Sequence, residues 1–152
     1  MIRRFEQFIY SITDITRSWH KIAACELEKF GLKAAHAVYL TALYRHPEGV
    51  TAPQLVELCG KDKADVSRMM TSLEAKGFVE KKSVHQNRYG GSFLLTPSGI
   101  QAAEYACNRA SIAVGLAGGD LSDQEREIFY KALESISANL RLYSESGLPL
   151  KE

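Results

Sequence analysis

The sequence predicts a mainly α chain with one small β-hairpin, on three observations. Apolar residues recur every three or four positions through most of its 152 residues. Helix-starting patterns precede several of those stretches: Thr51 with Gln54, Asp62, Thr96 with Pro97, and Ser122 with Glu125. Between Gly77 and Thr96 the helical period stops, and two short β-prone runs flank a polar, glycine-containing segment.

Each element follows in turn. Phe5, Phe8, Ile9, Ile12, Ile15, Trp19, Ile22 and Ala23 mark a first helix from residue 2 to about residue 29, closed by Gly31. A second helix is expected from about residue 33 to 45, with Val38, Tyr39, Ala42 and Leu43 inward, stopping before Pro47 and Gly49. In "TAPQLVELCG" the Thr51 to Gln54 spacing is that of a capping box, and Pro53 falls in the first turn, where its missing N–H costs little. "DKADVSRMMTSLEAKG" opens on Asp62 as N-cap, carries Val66, Met69, Met70 and Leu73 on one face, and ends at Gly77. Two short helices joined by a few residues make a helix-turn-helix candidate.

"FVEKKSV", the polar "HQNRYGGS" and "FLLT" then read as a hairpin, with Gly90 and Gly91 able to take positive φ. "TPSG" starts a helix with Thr96 as N-cap and Pro97 at its first position, running to about residue 114. Gly118 and Gly119 separate it from a last helix opened by "SDQE", whose apolar stripe is Ile128, Phe129, Ala132, Leu133, Ile136, Leu140 and Tyr143.

Composition narrows the class. With 45% hydrophobic and 24% charged residues, the chain is an ordinary globular one, expected as a single domain over residues 1–152. Cys25, Cys59 and Cys107 fit neither a disulfide framework nor a CxxC metal site, and reduced thiols point to the cytoplasm. No run approaches the roughly 18 apolar residues of a membrane span, so no membrane partner is expected. The histidines at 20, 36, 46 and 85 make no HxxxH pair, so neither metal nor cofactor is expected. No nucleophile elbow or phosphate loop is visible, and the chain reads as a non-enzyme.

Charge is unevenly spread. The net is +1, yet residues 61–90 hold seven Lys/Arg against four Asp/Glu, while residues 117–152 hold four against seven. Such a chain can present a basic face at near-neutral overall charge. A helix-turn-helix followed by a hairpin is the element order of a winged helix, in which one helix fits the major groove of DNA and the hairpin reaches the flanking backbone. Opposite Val66, Met70 and Leu73, the second helix of the pair offers Lys63, Ala64, Ser67, Arg68 and Thr71. Lys81 and Lys82 fall on the hairpin arm and Arg88 near its tip. Asp65 works against phosphate unless it caps the helix or accepts from a cytosine amino group. The alternative reading is a winged helix that binds protein and lacks sequence-specific DNA binding.

The stretch "GLKAAHAVYLTALYRHPEGVTAPQLVELCGKDKADVSRMMTSLEAKGFVEKK", running into "LLTPSG", resembles the core of the MarR family of bacterial transcriptional regulators over residues 31–99. "SLEAKGFVEKK" and "LTPSG" carry the resemblance most clearly. It implies a ligand-responsive repressor that binds a pseudo-palindromic operator in double-stranded DNA as a homodimer. Residues 31–99 would be the DNA-binding lobe, 1–30 and 100–146 the dimerisation helices, and 147–152 a tail. By position, Ser67 and Arg68 fall where the family places base-reading and phosphate-contacting residues, and Arg88 falls on the wing arginine. Two departures bear on DNA affinity: Asn87, Arg88 and Tyr89 replace an acidic-then-basic wing pattern, and Asp65 stands where a small hydroxyl residue is common.

The terminal helices carry more apolar surface than a small winged helix covers, so a second copy is expected over Phe5, Phe8, Ile12, Ile128, Leu133, Ile136 and Leu140. Trp19, His20, His36, Tyr39 and Arg109 are expected around a cleft of the kind in which the family often accepts small aromatic or phenolic effectors.

Overall fold

Side-chain caps set where the helices begin. Thr51 Oγ1 accepts from the Gln54 N–H, Asp62 Oδ1 from the Asp65 N–H, Thr96 Oγ1 from the Gly99 N–H, and Ser122 Oγ from the Glu125 N–H. Each satisfies a donor that the first helical turn would leave unpaired, a contribution of about 1 kcal/mol apiece. These caps belong to a computed structural model that describes residues 2–82 and 91–149. The chain divides into two compact units, Met1–Ser111 and Ile112–Glu152.

The first unit opens with α1 (Ile2–Leu27), a 3-10 turn at Glu28–Phe30, and Gly31 at φ 65°, the left-handed position that glycine accepts freely. A second 3-10 turn, Ala34–His36, leads into α2 (Ala37–Tyr44). Strand β1 (Val50–Thr51) precedes α3 (Ala52–Cys59) and α4 (Lys63–Ala75), and β2 (Val79–Lys82) and β3 (Ser92–Leu95) follow. Helix α5 (Pro97–Ala117) crosses the boundary between the units, and α6 (Asp123–Ser146) lies in the second.

The expected second helix is corrected at its start. His36 Nδ1 accepts the Lys33 N–H at 2.9 Å, which winds the first turn as 3-10 and delays the α-helix to Ala37. Its buried face is Tyr39, Leu40 and Leu43, whereas Val38, expected inward, is exposed and lines a cleft. Strand β1 was not expected: two residues are too short for any periodicity to show. It pairs antiparallel with β3, Val50 opposite Phe93, in a sheet of order β1-β3-β2 whose other pairing sets Val79 opposite Leu95 and Lys82 opposite Ser92. The fifth helix runs three residues past its expected end.

Leu40, Leu43, Val50, Leu55, Val66, Met70, Leu73, Val79 and Phe93 form one buried cluster, so α2, α3, α4 and the sheet share a core. The "TPSG" sequence locks the start of α5 to that lobe. Thr96 donates its N–H to Phe78 O at 3.0 Å and its hydroxyl to Gly77 O at 2.6 Å. A Cβ on Gly99 would sit 1.9 Å from Phe78 O, so only glycine fits this approach of helix to strand.

Candidate nucleic-acid interface

Helices α3 and α4 are joined through Gly60, which takes φ 59° and lets the chain turn sharply before Asp62 caps α4. Val66, Met70 and Leu73 point into the core, and the residues left outward on α4 include Lys63, Ala64, Ser67, Arg68 and Thr71, all exposed. At 100° per residue those five positions cover one side of the helix, so the side chains expected to face DNA do share a surface. Gly77 takes φ 77°, the Phe78 N–H returns to Leu73 O at 2.9 Å, and β2 begins directly from this turn. Lys81 and Lys82 are both exposed on β2, with Lys81 Nζ 5.6 Å from the centroid of the Phe93 ring. Arg88, with Asn87 and Tyr89, lies outside the described residues.

Asp65 occupies a position that its sequence context did not disclose. Its Oδ2 accepts the Tyr39 hydroxyl at 2.6 Å and its Oδ1 accepts Arg68 Nη2 at 3.2 Å. The Tyr39 bond first, and Arg68 second, hold its carboxyl below the usual aspartate range, so it is ionised at neutral pH. Burial and the bond to Asp65 push the Tyr39 phenol upward, keeping it a donor. The carboxylate that should repel phosphate is thus drawn back toward α2 and shares its charge with an arginine.

A cleft of about 1390 Å³ opens between α1, α2, the end of α3 and α5, within the first unit. Trp19, His20 and Arg109 line it, together with Ile12, Val38 and Leu58. His36 and Tyr39 are corrected: both are buried in the lobe, where His36 Nε2 lies 3.1 Å from Ser72 Oγ and Tyr39 holds Asp65. Because His36 Nδ1 accepts a backbone N–H, the ring proton sits on Nε2 and is donated to Ser72. The lining also contains Arg17, Lys21, Arg45 and Lys61 against Glu26 and Asp65, an electropositive surround that no single stretch of sequence announces. Glu26 accepts from Arg109 at 2.8 Å and from the Tyr105 hydroxyl at 2.6 Å, and these bonds, Arg109 first, lower its pKa.

Of the residues expected at an interface between copies, Phe5, Ile12, Ile128, Ile136 and Leu140 are exposed, and Phe8 and Leu133 are half-buried. Cys25 is exposed and Cys59 and Cys107 are half-buried, with burial pushing the Cys59 thiol upward and away from reactivity. Among the described residues no cluster of His, Cys, Asp or Glu could hold a metal ion, and no helix is long and apolar enough to cross a membrane.

The model of the MarR family matches residues 30–88, which span α2, the helix pair, β2 and the segment after it. Over that stretch the chain is similar to the MarR family. The chain is 22% identical over 126 residues to the HTH-type transcriptional regulator YybA of Bacillus subtilis (strain 168), covering 83% of each protein. Among solved structures, a MarR family transcriptional regulator from Listeria monocytogenes complexed with 26mer DNA has a TM-score of 0.81 at 21% identity, covering 95% of this chain and 97% of that one. The S. aureus MepR–DNA complex has a TM-score of 0.80 at 21% identity, covering 87% and 97%. At these identities the structural likenesses show the fold alone.

Proposed function

We propose that the chain is a ligand-responsive repressor that binds a pseudo-palindromic operator as a homodimer. The observation that carries this reading is the outward face of α4: five exposed positions of cationic, hydroxyl or small character on a helix anchored through its opposite face. Ser67 and Arg68 would meet base edges and phosphates, Lys63, Ala64 and Thr71 the adjoining surface, and Lys81, Lys82 and Arg88 the flanking backbone. The neighbours solved in complex with DNA support DNA as the partner. Pairing of copies through α1 and α6, over Phe5, Phe8, Ile12, Ile128, Leu133, Ile136 and Leu140, would set two recognition helices about one DNA turn apart. The cationic lining of the cleft, with Trp19 as an aromatic wall, suits a small aromatic acid or phenol. Such a regulator acts on chromosomal DNA in the cytoplasm.

A salt series of DNA binding tests this. Affinity is expected to fall steeply as salt rises, and Arg88→Ala to reduce the log–log slope by about 1 if that arginine meets one phosphate. Absence of binding even at low salt would favour a protein-binding winged helix instead. Repeating the assay with a panel of small aromatic acids and phenols tests the effector, and DNA binding unmoved by every compound would count against it.

A further inference from the structure

We propose that Asp65 is a positioning residue that presets the side chain of Arg68 for base reading. This rests on α4 being the DNA-reading helix. An arginine on an exposed helix face normally samples many rotamers and gives up that freedom on binding. Here Arg68, 68% exposed in its side chain, is held by a carboxylate that is only 26% exposed. A lone ion pair three residues apart on a helix would contribute little. This carboxylate, however, is held by a second donor, and its backbone is tied as well. The Tyr39 hydroxyl donates to Oδ2 at 2.6 Å from a ring that is wholly buried in the lobe. Arg68 Nη2 donates to Oδ1, and the Asp65 backbone N–H is itself tied to the Asp62 cap at 2.8 Å. A buried phenol on α2 therefore anchors an acid on α4, and the acid anchors the arginine.

The arrangement has two opposing consequences for DNA. One negative charge near the groove weakens attraction to any phosphate backbone. An arginine held in advance in one direction discriminates better among base pairs. Asp65 thus exchanges general affinity for selectivity. Damage to the helix alone would lower binding to all sequences together and leave base preference as it was.

The test compares base preference, measured on a panel of single-base-pair variants of a selected operator, for wild type, Asp65→Ala, Tyr39→Phe and Arg68→Ala. Melting temperatures and the milder Asp65→Asn variant serve as controls for folding. Arg68→Ala should lose preference at one base pair of each half-site. Asp65→Ala should lose roughly tenfold discrimination at that same base pair, within the range of one arginine contact, while binding unselected DNA as well as wild type or better. Tyr39→Phe should move the same way to a smaller extent. The proposal is overturned if Asp65→Ala keeps the wild-type preference at the base pair that Arg68→Ala loses. If Arg68→Ala itself leaves every preference intact, the reading of α4 fails and the proposal fails with it.

Discussion

Helices α4 and α6 follow the same apolar period and end in different surroundings. On α4, Val66, Met70 and Leu73 are at most 1% exposed, packed with α2, α3 and the sheet. On α6 no residue is buried: Ile128 is 60% exposed, Leu140 57% and Ile136 39%. Periodicity therefore reports that a helix has an apolar face, and says nothing about whether the same chain supplies the cover. The proposed homodimer assigns that cover on α6 to a second copy, since a stripe of large exposed apolar side chains is a feature of interaction surfaces.

The sharpest way to break the comparison is to alter each stripe in turn. Leu73→Ala should lower the unfolding free energy by about 2–5 kcal/mol, because the closed lobe core cannot collapse fully around the cavity. Chemical denaturation reads this directly. Introducing charge into the other stripe, with Ile128→Glu and Leu140→Glu together, should convert dimer to monomer in sedimentation while the helix content of the lobe survives. A dimer that persists with both glutamates present would remove α6 from the interface.

A smaller effect separates the two helices by pH. His36 is buried against α4, and burial first, with Lys76 and Lys33 also acting against the charged form, holds its pKa below the ordinary 6.5. The unfolded chain then binds more protons than the native one between the depressed value and 6.5. The stability that neutral His36 contributes is complete above 6.5 and is lost progressively as pH falls below it. Denaturation midpoints of wild type should fall over this range and those of His36→Gln should fall less. Equal slopes for the two proteins would contradict the assignment.

Much of this architecture was legible in the sequence because it is local. The caps at Thr51, Asp62, Thr96 and Ser122 need only a side chain and a backbone N–H three residues on, and all four form. The outward face of α4 follows from the same logic, since fixing Val66, Met70 and Leu73 inward leaves Lys63, Ser67 and Arg68 outward. What was not legible is long-range. Tyr39 and Asp65 are 26 positions apart, so an aspartate that looks unfavourable for DNA gives no sign of the phenol that restrains it. His36 and Tyr39 read as cleft residues because helical spacing cannot distinguish a side chain facing a cavity from one facing a core. The cations Arg45 and Lys61 join the cleft from separate elements and share no motif. Strand β1 exists only as the partner of β3.

The central claim, that a second copy completes a DNA-reading unit built on α4, is tested most directly by selecting bound duplexes from a random pool with the purified protein. The account predicts an enriched inverted repeat whose half-sites are centred about one helical turn, roughly 10 base pairs, apart. Recovery of a single unrepeated site, or of no enriched sequence at all, would contradict it.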